Sequence, residues 1–158
     1  MITVTTEVPI DMNNLTLRKA TLQDMNDINQ LQLDVFKGEQ EIPAVFIPLS
    51  AEKSPQWWCA LLGASIVGAV AAWEENNQVH WGRFATRQNY RGFQIGTKLA
   101  RFSLEDLFSQ RIEEIYMDAR AVTVKIICDM GGKIIGPPTK FYDGTVTPVI
   151  IYKGDYKR

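Results

Sequence analysis

The chain has 158 residues, 46% apolar and 10% aromatic, which suits one folded domain with its own core and excludes a disordered tract. Seventeen lysines and arginines against 18 acids give a formal charge of −1, with no basic block to neutralise phosphates, so no nucleic-acid partner is expected. No apolar run reaches membrane-spanning length, and two cysteines without CxxC spacing plus one histidine build no metal cluster, so no membrane partner and no metal are expected.

Residues 1–14 (MITVTTEVPIDMNN) lack the basic-then-apolar pattern of a secretory leader and read as a tail or a non-core strand before a single domain, residues 15–158. A cytoplasmic location is the expectation. Leu15–Lys19 (LTLRK) alternates apolar and polar, the period of a strand. Thr21 followed by Asp24 opens a helix with an acid in its first turn. Leu22, Met25, Ile28, Leu31, Leu33 and Val35 give that helix an apolar face. Pro43, Pro48 and Pro55 weaken the pattern over residues 36–55, a loop or short helix of the sort that lines binding sites.

Gln56–Leu62 (QWWCALL), residues 65–74 and residues 79–86 read as three antiparallel strands, joined by turns at Gly63-Ala64 and at residues 75–78. From residue 96 to 110 the period becomes helical, with Ile95, Leu99, Phe102, Leu107 and Phe108 near one face. Residues 112–118 form a strand, residues 121–130 a helix stopped by Gly131-Gly132, and residues 133–135 a short strand. A loop over residues 137–144 leads to a last strand at residues 147–153. No linker or internal repeat divides the chain. The order implies a mixed sheet with helices on both faces.

One segment carries chemistry. In GRFATRQNYRGFQIGTKLARF, a strand runs into a turn and then an amphipathic helix. Arg91-Gly92-Phe93-Gln94-Ile95-Gly96 fits the phosphate-loop pattern Gln/Arg-x-x-Gly-x-Gly/Ala except at Gln94, where the middle glycine belongs. With the matching element order, the chain from residue 15 to 153 resembles the GNAT superfamily of acyl-CoA-dependent N-acetyltransferases. The resemblance implies an α/β (α+β) fold, with a mixed, mostly antiparallel sheet of about six or seven strands and helices on both faces. It also implies acetyl-CoA as co-substrate and a primary amine of a small molecule or peptide as acceptor. Pairing of two copies into a homodimer through the late strands is a habit of the family.

In such a loop, successive backbone amides and the free donors of a helix's first turn converge on the pyrophosphate. Arg91, Gly92, Phe93, Gln94, Ile95, Gly96 and Thr97 are therefore the candidate cofactor-binding residues. Side chains contribute little there, so Gln94 is tolerated if it adopts the needed dihedrals and its Cβ clears the ligand. Arg87, Lys98 and Arg101 are candidates for the other phosphates. The resemblance puts a bulge at Phe84, Ala85 and Thr86, whose main chain aligns the thioester and donates to its oxygen.

For the amine's proton, His80 is the sole histidine, and its ordinary pKa lies near neutrality. It falls where histone acetyltransferases of the superfamily carry a catalytic glutamate. Glu74, acting through a water, and Glu75 are alternates. Strand alternation puts His80, Gly82, Phe84 and Thr86 on one face. The tyrosine that often serves the family as acid is replaced by Ile127, which leaves Tyr116 and Tyr142 as substitutes; Cys128 reads as a core thiol. Residues 36–55 and 141–145 are expected to build the acceptor pocket.

The departures at Gln94 and Ile127 keep a second reading open, a non-catalytic GNAT-fold module that binds CoA or a partner. A third reading comes from GKIIGPPTKFYDGTVTPVIIYK, which resembles the N-acyl amino acid synthase branch fed by acyl carrier protein.

Overall fold

The structure is a computed structural model and describes residues 11–158; the expected tail falls mostly on residues 1–10, outside the described residues. A 3-10 turn at Met12–Asn14 leads into the sheet. Strands β1 (Leu15–Lys19), β2 (Gln56–Leu62), β3 (Ser65–Glu75) and β4 (Gln78–Thr86) pair antiparallel in sequence. Strand β5 (Glu114–Ala119) lies parallel to β4. Beyond them come the short strands β6 (Lys133–Ile134) and β7 (Thr139–Lys140) and the long β8 (Thr145–Tyr152), which pairs antiparallel with β5, β6 and β7.

The order β1-β2-β3-β4-β5-β8-β6, with β7 beside β8, is the mixed and mostly antiparallel sheet that the sequence implies. Eight strands replace six or seven because the late loop folds back on itself, pairing Thr139 with Val146 and Lys140 with Thr145.

Helix α1 (Met25–Gln32) covers one face of the sheet, and α2 (Ile95–Ser109) and α3 (Ala121–Asp129) cover the other. Two cores result. Trp58, Val70, Ala72, Trp81, Leu99 and Leu104 belong to the α2 side, while Ile28, Leu31, Trp57, Cys59, Ala69 and Ala71 belong to the α1 side. Neighbours in sequence on β2 and β3 thus point into different cores, which is why both strands read as continuous apolar runs. The two buried indoles of the α2 side keep their N–H groups satisfied: Trp58 donates to Asp106 at 2.7 Å and Trp81 to Ser103 at 2.9 Å, both on α2.

Ahead of α1, Leu22–Asp24 form a 3-10 turn. Its tighter winding turns Leu22 into solvent, 92% exposed, so Leu22 drops out of the expected apolar face. At its other end α1 runs on through a π-helical turn, Leu33–Lys37, further than expected. Residues 38–55 are irregular apart from two 3-10 turns, and the buried Ile42 and Ile47 anchor them to the α1 core.

The feature that makes the site is an irregularity in β4. Ala71 faces Gly82 and Ala69 faces Ala85, so Arg83 and Phe84 together oppose Val70. Arg83 sits at φ +56° to accommodate this bulge. The extra residue inverts the alternation. Phe84 therefore joins Trp81 on the α2 side, ring centroids 5.0 Å apart, while Ala85 enters the α1 core. The expected single face for His80, Gly82, Phe84 and Thr86 is thus split. A Cβ on Gly82 would meet Trp73 of the α1 core, whereas Phe84 and Thr86 lie against Gly96 of α2. Between β4 and β5 only Val79↔Ile115 and His80↔Tyr116 remain paired, and past them the two strands part. Among the described residues, no helix is long and apolar enough to cross a membrane.

Candidate active site

Two cavities flank the parted ends of β4 and β5. The first is a groove of about 470 Å³ between the start of α2 and the α3 residues Val122, Thr123 and Ile126. Gly92, Gln94, Ile95, Gly96 and Thr97 line it, and so do Phe84, Ala85, Thr86 and Arg91. Phe93 does not; its ring is exposed. Gln94 caps α2 in the left-handed region, φ 61° and ψ 19°, a conformation that costs a non-glycine residue about 1–2 kcal/mol. Gln94 is one of the residues lining the groove, which stays open beside it.

The main chain here is short of partners. Among the described residues, none of the six amides from Gly92 to Thr97 donates to a protein acceptor, and the first helical bond runs from Lys98 N to Gln94 O at 3.0 Å. Gly96 has a different reason to be glycine. A Cβ there would stand 3.1 Å from the Phe84 ring and 3.3 Å from Thr86 Oγ1, so it lets α2 close on β4.

The nearby cations are largely engaged. Arg91 grips Glu39 with both ends of its fork, at 2.6 and 2.9 Å, and also donates to Thr86 O. Arg87 bonds Asp34 at 2.8 Å and, first among the causes, holds that carboxyl below its ordinary range. Arg101 donates to the Tyr156 hydroxyl and Lys157 O, outside the groove lining, as is Lys98. The Arg87 amide bonds back to Val67 O on β3 at 2.8 Å. By strand alternation, the main chain of Thr86 faces the opposite way, into the gap.

The second cavity, about 390 Å³, adjoins the first through Gln40, Phe84, Arg120 and Thr123, which line both. Its walls are mostly apolar, including Phe36, Ile42, Ile47, Trp81, Met117 and Phe141. Both segments expected to build an acceptor pocket contribute to this lining, residues 36–47 from the first and Phe141 and Tyr142 from the second.

Apart from Tyr142, a candidate acid that does reach this lining, its polar groups were not singled out in the sequence. Asp118 is the sole carboxylate of the lining. Arg83 donates from Nε to Ile47 O at 3.1 Å and from Nη2 to Phe46 O at 3.3 Å, and burial pushes its guanidinium below the ordinary value. Arg120 donates from Nη1 to Phe141 O at 2.9 Å and lies over the Phe141 ring at 5.2 Å. Burial lowers its pKa too, with Asp143 opposing. Among the residues lining this cavity, two buried polar atoms have no hydrogen-bond partner, Arg120 Nη2 and Gln40 Oε1. A signal for Asp118 and Arg120 did exist: DAR closes a strand ahead of a helix, and ligands of open sheets gather at the carboxyl ends of strands. Arg83 left none, because its position depends on the bulge.

His80, Glu74 and Tyr116 line neither cavity. His80 stacks on Trp73 with centroids 6.0 Å apart, faces Tyr116 at 6.3 Å, and has a buried Nε2 with no partner. The Tyr116 hydroxyl donates to Glu114 at 3.3 Å, and desolvation followed by the Glu114 charge raises its pKa. Glu74 is exposed, opposite Val79 near the hairpin end, and Glu75 is held by Lys53 and the Trp73 indole. Ile127 is fully buried in the α2 core, its Cγ2 only 2.6 Å from where a Cβ on Gly132 would stand. It is a packing residue in its own right. Cys59 is a buried free thiol and Cys128 a half-buried one; among the described residues no cluster of His, Cys, Asp or Glu could hold a metal.

The fold that holds this strand pair and turn is shared with known proteins. The pattern of the Acetyltransferase (GNAT) family matches residues 22–124, and the chain belongs to that family. Among solved structures, ElaA of Escherichia coli superposes with a TM-score of 0.74 at 17% identity, covering 86% of this chain and 98% of ElaA. An acyl-CoA N-acyltransferase from Pseudomonas aeruginosa gives 0.71 at 17% identity, over 86% of this chain and 97% of that one. A chain of the NatC complex, solved with a Gag peptide and CoA bound, gives 0.71 at 13% identity, over 88% and 98%. At such identities the likeness is one of fold. None of the curated proteins matches the chain.

Proposed function

We propose that the protein moves an acetyl group from acetyl-CoA to a primary amine of a small molecule or peptide. One observation carries this reading: six amides in succession, Gly92 to Thr97, lack acceptors, and five of those six residues line a groove at a helix N-terminus. Unmet donors aligned with a helix dipole suit a diphosphate. The glutamine at position 94 leaves that arrangement intact, since it supplies the left-handed turn at a cost in strain alone.

Acetyl-CoA supplies the activated acyl carbon. The main chain at Phe84, Ala85 and Thr86, next to the bulge, aligns the thioester, and the gap-facing Thr86 amide donates to the oxygen as it gains charge. The amine nitrogen bonds to the carbonyl carbon, the carbon–sulfur bond breaks, and sulfur departs as a thiolate. A thiolate whose acid has a pKa near ~8.5 leaves without a dedicated acid, consistent with the packing role of Ile127. Asp118, the carboxylate of the acceptor cavity, takes the amine's proton. Tyr116 lies two residues back on the same face of β5, and His80 pairs with it on β4. These two form an onward route for the proton through water, with Glu74 a more distant acceptor.

Purified protein mixed with acetyl-CoA should melt several degrees higher and release free thiol when a suitable primary amine is added. No thermal shift at millimolar acetyl-CoA would discard the donor assignment. A shift without thiol release across a broad amine panel points to the second reading, a non-catalytic CoA-binding module. That reading is favoured by the absence of His80, Glu74 and Tyr116 from both cavities.

A further inference from the structure

We propose that the acceptor is an amine that carries a free carboxylate and an apolar side chain, its carboxylate received by Arg120 and Arg83. The proposal rests on the transfer reading for what happens to the amine, but not for what the cavity binds.

The argument begins with two guanidinium groups that lack counter-charges. Among the described residues, Arg87 and Arg91 at the neighbouring groove each have a carboxylate partner within 4.0 Å, and neither Arg83 nor Arg120 does. A guanidinium has five N–H donors, and leaving charged donors buried and unmet is costly. Arg120 leaves Nη2 buried with no acceptor. Burial depresses both groups, as expected for cations short of compensation.

Both are also held in place. Arg120 is fixed by the Phe141 carbonyl and ring, and Gly144 makes room for it, since a Cβ there would come within 2.9 Å of Nη1. Arg83 is moored by two carbonyls of the segment around Phe46 and Ile47. A fork fixed before the ligand arrives matches a planar carboxylate at little entropic cost.

The remaining lining complements the rest of such a molecule. Two guanidinium groups against Asp118 leave an excess positive charge in the lining, with Asp143 acting on Arg120 from outside it. Asp118 suits the amine end, and Gln40 Oε1, buried without a donor, can accept from an amine N–H. The apolar remainder of the cavity takes the side chain. A polyamine or another purely cationic acceptor would meet like charge here. Arg120 also borders the groove, so a phosphate of the donor is the competing anion; its tether to Phe141 directs it to the acceptor side.

The test is calorimetric titration of the CoA-loaded protein with N-acetyl-L-leucine and N-acetyl-L-phenylalanine, each against its decarboxylated counterpart, N-(3-methylbutyl)acetamide or N-phenethylacetamide. The carboxylate forms should bind about ten- to a hundredfold tighter. Arg120→Leu should abolish that preference, Arg83→Leu should reduce it, and Arg120→Lys should keep only part of it. CoA affinity should stay unchanged in the Arg120 variants. Equal binding of each pair by the wild type overturns the proposal, with or without a folded variant. A weakened CoA affinity in Arg120→Leu with the probe preference intact also overturns it and hands Arg120 to the donor's phosphates. Thiol release with free leucine and phenylalanine reads the transfer reaction separately. Carboxylate preference without release retires the transferase and keeps the pocket, whereas release with no preference between amines with and without a carboxylate does the reverse.

Discussion

Asp118 and His80 both flank the line along which β4 and β5 separate, yet they differ in what they face. Asp118 borders the acceptor cavity, while His80 is packed between Trp73 and Tyr116. Their contributions should therefore separate by experiment. Asp118→Asn keeps shape and removes the proposed proton acceptor, so kcat should fall about 10²–10⁴-fold with little change in melting temperature, because the side chain is exposed. His80→Gln should lower kcat by less than about tenfold. Steady-state rates and thermal melts of the two variants check both. A larger kinetic loss at His80 than at Asp118 would return the histidine to the central role that its residue type suggests. Residue type alone does not say which face a side chain occupies, and a single extra residue at Arg83–Phe84 resets that face for the end of β4.

At the level of elements, β1 and the start of α1 are clasped by one carboxylate. Asp24 accepts two bonds from the Arg18 guanidinium, at 2.7 and 2.9 Å, and further bonds from the Thr21 amide and hydroxyl. The Arg18 bonds, and next the Thr21 amide, hold its pKa well below the ordinary carboxylate range. Because the folded value is depressed, the stabilisation is fully present above the unfolded value of about 4 and is lost as pH falls below it toward the folded value. Asp24→Asn should thus cost about 1–2 kcal/mol at pH 7. The gap to wild type should narrow steadily below about pH 4, as followed by denaturant melts across pH. The elements themselves were mostly legible, since alternation in LTLRK and two-sided burial in QWWCALL are patterns that packing enforces along the chain. What escaped was set by tertiary pairing: the Thr139–Lys140 ladder, the π-helical extension of α1 and the exposed Leu22.

For the whole molecule, the same division explains which half of the site could be read beforehand. The turn proposed to hold the diphosphate lies within one short segment, from Arg91 to Thr97, so its shape follows from local backbone even with Gln94 in it. The acceptor cavity is assembled from α1's continuation, β4, β5, α3 and the late hairpin, so Arg83, Asp118 and Arg120 come together only through the fold. Stability is shared in the same way. The α2 core joins α2 and α3 to strands from β2 to β8, which leaves the gap between β4 and β5 as the place where the sheet gives way.

The clasp between Arg91 and Glu39 has a consequence for how occupancy of one chamber is felt in the other. Glu39 directly precedes Gln40, whose side chain borders both spaces. An anion that draws on Arg91 competes with Glu39 and loosens the segment leading into the acceptor wall. Reciprocity then requires that whatever factor CoA applies to acceptor affinity, the acceptor applies to CoA. Titrations in the two orders should close to the same coupling, and Glu39→Gln, which cuts the clasp in advance, should bring that coupling toward zero.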